Sequence, residues 1–318
     1  STLHISKEGL FLGISKNKFV LKEFGKVQNS FAFDKVNRII LEGKGILIST
    51  DVIKKSVENN ITIDFINRDA LSYASLITHK SSVTQNINKQ AKILDTPLQL
   101  YFATQFIKGK AKNQINYLKY LDKYHKLLDE TILKMETILN KKLKTSQSVE
   151  QIMGYEGSIS ALYWESLRLV IEVPFEKRVT FGAKDIINSS LNYGYAILYG
   201  KVQHSLVHAG LSLNISFLHS IDGNKPTLTF DMIEEFRTFI VDRTIISMIN
   251  KDEPIKLGND GMLTKNSRQL ISKNIKEKLG SYTMWKKESQ KVENIIQTQC
   301  YKLAKTIEDN TIPYKPFI

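Results

Sequence analysis

Apolar and polar residues alternate through the opening segment, the period-two pattern of half-buried strands, and Gly and Asn punctuate it. The alternation predicts strands over Leu10–Ser15, Lys18–Leu21, Ser30–Phe33, Val36–Leu41, Ile46–Ile48 and Ile61–Ile66. Ser49-Thr50-Asp51 reads as a helix start leading into Val52–Glu58. Gly43-Lys44-Gly45 lacks the spacing of a Walker phosphate loop and reads as a tight turn. This part of the chain is therefore expected to form a small sheet with one short helix.

From Ile87 onward the period changes. Leu128, Thr131, Ile132, Met135, Ile138 and Leu139 recur at the 3.6-residue spacing of an amphipathic helix. The stretches Ser158–Val170, Asp185–His208, Asp231–Asn250 and Ser267–Asp309 also read mainly as helices, and Pro97, Pro174, Pro226 and Pro254 fall near their boundaries. The polar segment Lys80–Asn88 reads as a linker. The expected architecture is α+β with two domains: a small β-rich, dimerisation-type domain over 1–85, then a larger all-helical catalytic domain over 86–318.

Composition narrows the class. Hydrophobic residues make up 42% of the 318, enough for a sizeable core. No apolar run is long enough to span a bilayer, and Ser1-Thr2-Leu3-His4-Ile5 has no signal-peptide pattern. The single cysteine, Cys300, excludes an intramolecular disulfide and a cysteine-rich zinc site. A soluble cytoplasmic protein is expected, with no membrane association.

Charge adds a partner. Lys+Arg is 45 against 32 Asp+Glu, a net +13. Between Lys80 and Glu150 there are 13 Lys, no Arg and 6 acids, so this stretch carries +7 of that total. Lysine without arginine suits point-charge attraction to phosphates better than bidentate reading of bases. Lys108, Lys110 and Lys112 in this stretch are candidate DNA contacts, with Lys225 and Arg237 further on.

Three places offer chemistry, each with a bland alternative. Glu156 sits between glycines in Gly154-Tyr155-Glu156-Gly157, where a helix-capping carboxylate is the plain reading. In Phe230-Asp231-Met232-Ile233-Glu234-Glu235-Phe236-Arg237, Asp231 and Glu234 at i,i+3 share a helical face, with Glu235 beside them. A buried face of that kind needs a compensating cation; a solvated face with Arg237 partnering Glu234 does not. His219 ends the apolar run Ile215–Leu218, fifteen residues before Glu234 across the turn Asp222-Gly223-Asn224, and a hydrogen-bonded edge histidine is its plain reading. One imidazole with two or three carboxylates is a ligand set suited to Mg²⁺ or Mn²⁺.

Read together, these segments resemble the CRISPR-associated adaptation endonuclease/integrase family. Gly154–Gly157 is followed in family order by Asn188 and Leu191–Tyr199, by Ala209-Gly210-Leu211 leading to Phe217-Leu218-His219, and by Phe230–Arg237. Gly43–Thr50 and Ile61–Ile66 are similar to the family's β domain. The resemblance implies a metal site at Glu156, His219 and Glu234. Asp231 supports it, Tyr199 matches an active-site tyrosine of part of the family, and Lys225-Pro226 resembles a DNA-proximal pair. It also implies Mg²⁺ or Mn²⁺ as cofactor, a homodimer, a small ferredoxin-like partner protein, and action on double-stranded and branched DNA. The activity implied is insertion of spacer DNA by 3′-OH transesterification, with hydrolysis when water replaces the 3′-OH. A non-catalytic DNA-binding scaffold, or a metallonuclease directed at RNA, stays open as an alternative.

Overall fold

The computed structural model describes residues 2–59, 61–67, 72–76, 81–223 and 225–318, with side chains included except at 81–85. The chain divides into two compact units, Ser1–Ser81 and Ser82–Ile318. In the first, strands β1 (Thr2–Ile5), β5 (Arg38–Glu42), β7 (Thr62–Ile66) and β8 (Ser72–Leu76) form a sheet in the order β1-β5-β7-β8. Strands β2 (Leu10–Ser15), β3 (Lys18–Glu23), β4 (Lys26–Ala32) and β6 (Leu47–Ile48) form a second sheet in the order β4-β3-β2-β6. The one α-helix among the described residues before Ser81, α1 (Thr50–Glu58), is capped by Ser49, whose hydroxyl accepts from the Val52 amide at 3.4 Å. Leu12, Phe19, Ile39, Val52 and Ile63 fill the core that the alternation had to bury.

The strand expectations hold in outline and shift in register. Phe24-Gly25 form the β3–β4 turn, so the strand read as Ser30–Phe33 begins at Lys26, and Phe33–Lys35 makes a 3₁₀ turn. That turn delays β5 to Arg38. Strands β1 and β8 carry too few alternating apolar residues to stand out in sequence. The linker reading is corrected: Ser81–Ile93 is helix α2, while Lys80 lies outside the described residues.

The second unit is helical except for one hairpin. Its helices are α2, α3 (Pro97–His125), α4 (Asp129–Thr137), α5 (Val149–Arg168), α6 (Ile186–His208), α7 (Thr227–Ile233), α8 (Arg243–Asn250), α9 (Lys265–Gly280) and α10 (Val292–Glu308). Proline at its first position and Lys126 in the left-handed region (φ 54°) bound the 29-residue α3. The long helix expected over Ser267–Asp309 is interrupted by strands β9 (Tyr282–Trp285) and β10 (Glu288–Lys291). The one expected over Asp231–Asn250 is also broken. α7 ends at Ile233, and a π-helical segment over Arg237–Asp242 follows before α8.

Two close approaches hold α3 and α6 against this broken stretch. A Cβ on Gly109 would lie 2.8 Å from Pro316 Cβ and 2.9 Å from Glu235 Cβ; one on Gly194 would lie 2.8 Å from Val241 Cγ1. Asp242 then ties three elements. Its carboxylate accepts from Tyr163 of α5 at 2.8 Å and from Tyr195 of α6 at 2.5 Å. Tyr163 lies two helical turns beyond Glu156, and Tyr195 one turn before Tyr199, so this buried anchor fixes the faces that carry both residues. Cys300 is buried and free. Among the described residues no helix is long and apolar enough to cross a membrane.

Candidate active site

Glu156 lies inside α5, as its eighth residue, rather than at a helix terminus. Ser148 supplies the N-cap instead, so the capping reading of Glu156 falls. Its carboxylate accepts from Ser160 one turn on at 2.7 Å and pairs with the ammonium of Lys110 from α3. Lys110 also lies 2.8 Å from Glu234 Oε2, so one buried cation bridges the two carboxylates. On the other side of Glu234, Arg237 Nε approaches Oε1 at 3.1 Å, and its Nη2 donates to the Tyr199 hydroxyl at 2.7 Å. The guanidinium lies over the rings of Tyr195 and Tyr199, 4.9 and 5.6 Å from their centroids.

The electrostatics follow from this packing. Burial alone would raise the Glu234 carboxyl, but the Arg237 and Lys110 charges overcome it and hold it down at about 2. Burial likewise opposes the charge on Lys110, and the two glutamates restore it, leaving the lysine above its ordinary value. Burial raises Tyr199, against the pull of Arg237.

Asp231 and Glu234 do not form the like-charged pair that helical spacing suggests. α7 ends between them, and Asp231 turns toward a different loop. Its carboxylate accepts the backbone amides of Phe217 (2.6 Å), Leu218 (3.0 Å) and His219 (3.0 Å), and also contacts His219 Nδ1 at 2.8 Å. Asp231 is fully buried, so it both builds the loop and sets the imidazole's orientation. Nε2 of His219 is left without a hydrogen bond among the described residues. Burial would lower this histidine, yet the Asp231 and Glu234 charges outweigh it and raise it. Phe230 packs edge-on against both His219 and Tyr199, at 6.0 and 5.4 Å between ring centroids.

Glu235 leaves the site altogether. It accepts from the Tyr314 hydroxyl, the Phe317 amide and Gln299 Nε2 (3.2 Å), and burial lifts it to about 7. Of the other expected contacts, Lys225 is exposed and paired with Asp222 at 2.8 Å, and Arg237 is taken up by Glu234 and Tyr199. Lys108 lines a cavity that α3 shares with Trp285 and Tyr314, and Lys112 is half-buried. Asn224, in the turn between His219 and Glu234, lies outside the described residues.

A divalent cation can be tested against these donors. Among the described residues no three His, Cys, Asp or Glu side chains converge tightly enough to hold an ion as they stand. Two carboxylates nevertheless converge on one positive charge, and an oriented imidazole beside them keeps a nitrogen free. That oxygen-dominated set fits Mg²⁺ or Mn²⁺, with Lys110 now supplying the positive charge. Sequence reasoning placed Lys110 among DNA contacts and missed its bridging role, because α3 showed no clean period.

The chain thus combines a strand-rich unit with a helical unit that holds an acid–imidazole–lysine cluster. The family described as CRISPR associated protein Cas1 matches residues 3–277, and the chain belongs to that family. It is 26% identical over 323 residues to the CRISPR-associated endonuclease Cas1 1 of Francisella tularensis subsp. novicida (strain U112), covering 99% of this chain and 98% of that protein. It is 31% identical over 252 residues to the CRISPR-associated protein Cas1 3 of Methanobrevibacter ruminantium, covering 73% and 72%. Its fold matches a casposase bound to integration product (TM-score 0.82, 21% identity, 97% of this chain and 91% of that one). A Cas1 protein from Thermotoga maritima has the same architecture (TM-score 0.78, 18% identity, 97% of each chain).

Proposed function

We propose that this chain is a divalent-metal-dependent DNA endonuclease and integrase of CRISPR adaptation, inserting short spacer DNA into the repeat array. The observation that carries this reading is the pair Glu156 and Glu234, held on one buried cation beside an imidazole that Asp231 orients. Glu156, Glu234 and His219 Nε2 would hold Mg²⁺ or Mn²⁺, which supplies Lewis-acid stabilisation of charge on the reacting phosphate. In the reaction a DNA 3′-oxygen attacks a phosphodiester of the repeat. The new P–O bond forms as the P–O3′ bond of the target breaks; the attacking 3′-OH gives up its proton and the departing 3′-oxygen takes one up. Water in place of the 3′-OH gives strand cleavage.

Asp231 fixes the imidazole, Tyr163 and Tyr195 fix the helices that carry Glu156 and Tyr199, and Arg237 holds Glu234 charged. Lysines from the basic stretch hold duplex and branched DNA through phosphates, so affinity falls steeply with salt. The reading includes a cytoplasmic homodimer with a small ferredoxin-like adaptation partner. A structural neighbour described as a Cas6-RT-Cas1–Cas2 complex supports a partner protein, and one described as a casposase bound to integration product supports action on DNA.

Strand transfer into supercoiled repeat DNA tests the assignment. Glu156→Ala, His219→Ala and Glu234→Ala are each expected to lower it by more than about a hundredfold, with DNA binding nearly intact, and EDTA is expected to abolish it in the wild type. Wild-type rates in all three variants would overturn the site; activity insensitive to EDTA would overturn the metal.

A further inference from the structure

A second charged cluster lies on the other side of Gly109. A cavity of about 540 Å³ opens between α3, the β9–β10 hairpin and the segment after α10, lined by Tyr101, Lys108, Trp285, Lys286, Tyr314 and Lys315 among others. Lys286 and Lys302 both place their ammonium groups on the Trp285 ring, at 4.9 and 3.9 Å from its centroid. None of Lys108, Lys286, Lys302 and Lys315 forms an ion pair with a carboxylate among the described residues. The acid whose field reaches Lys302 is Glu235, which is engaged with Tyr314 and Phe317.

Like charges gathered without a counterion oppose folding, so their retention needs a separate reason. Burial and the adjacent Lys286 ammonium push Lys302 down to about 7. The β9–β10 hairpin contributes Trp285 and Lys286 to the cavity wall. Its two-residue turn places Lys286 (φ 51°) and Lys287 (φ 69°) in the left-handed region, where Asn-Gly would be relaxed. The hairpin also lies beyond residues 3–277, the part matched to the family.

We infer that this cavity is an accessory phosphate-binding subsite, in which Lys108, Lys286 and Lys315 on its wall, with Lys302 beside Lys286 on the Trp285 ring, grip the sugar-phosphate backbone of a DNA strand led toward Glu156 and Glu234. Lys108 and Lys110 bracket Gly109, so the subsite and the carboxylate pair flank the same turn of α3. An anion between the two ammonium groups relieves their repulsion, and the Trp285 face keeps them in place. The inference rests on the reading of the chain as a DNA-processing enzyme.

The test is the double variant Lys286→Gln/Lys302→Gln, assayed for binding of a fluorescent single-stranded oligonucleotide across a salt series, with thermal unfolding in DNA-free buffer. The expected result is a log K versus log[salt] slope shallower by about 1.4, two phosphate contacts at about 0.7 each, with weaker binding of every sequence tried. The melting temperature is expected to hold or rise, because the repulsion has been removed. An unchanged slope with a folded variant would overturn the subsite while leaving the catalytic assignment standing. Loss of both affinity and thermal stability would make the lysines braces for Trp285 and overturn it too. A wild type with no salt-dependent DNA binding would bring down the functional reading and this subsite together, whereas loss of strand transfer in Glu156→Ala bears on the catalytic site alone.

Discussion

Glu234 and Glu235 are neighbours in sequence, 4% and 0% exposed, and the protein treats them oppositely. Glu234 sits between Lys110 and Arg237 and stays ionised, held at about 2. Glu235 sits among a phenol, a backbone amide and a carboxamide, and burial lifts it to about 7. Neutral donors satisfy a carboxyl group and lock a tail; cations keep a carboxylate charged inside the protein. The difference arises at one place, where α7 ends at Ile233 and the chain enters the wide turn before Arg237.

The comparison breaks most visibly if its cation is removed. Lys110→Met removes the cation that bridges the two carboxylates, leaving Glu156 without its ion partner and Glu234 with Arg237 alone, and stability without metal is expected to fall by about 3 kcal/mol. Affinity for Mn²⁺ is expected to rise, because the competing ammonium is gone. Urea unfolding with and without Mn²⁺ reads both effects. A variant with unchanged stability and unchanged metal response would remove Lys110 from the site.

A smaller effect sharpens the other half. Glu235→Ala strips the partners of Tyr314, Gln299 and the Phe317 amide, at an expected cost of about 2 kcal/mol. Glu235→Gln, which keeps an acceptor oxygen, should recover most of it. Metal affinity should stay near wild type in both, as measured by Mn²⁺ titration. A large drop in affinity would show that Glu235 acts on the site and is more than a lock for the chain after α10.

Much of the frame was legible in the chain. The strand alternation and the Asp185 start of α6 rest on local periodicity and capping, which act over a few residues, whereas the motifs around Glu156, His219 and Glu234 were legible only through their resemblance to a family. What stayed hidden depends on long-range packing. α3 is apolar on several sides because α5, the broken stretch after α7 and the chain after α10 all pack on it, so it shows no single stripe and Lys110 looked like one more surface lysine. The break after Ile233 is also tertiary. Helical spacing put Asp231, Glu234 and Glu235 on one face, whereas packing sends each to a different partner. The β9–β10 turn uses Lys286-Lys287 in place of Asn-Gly, so no turn signal marked it.

The most direct test of the central claim is calorimetric titration of Mn²⁺ into the wild-type protein and into Glu156→Ala, His219→Ala and Glu234→Ala. One site per chain is expected in the wild type, with affinity lost by about a hundredfold or more in each variant. Equal binding in the wild type and all three variants would contradict the assignment of these residues to a single metal site.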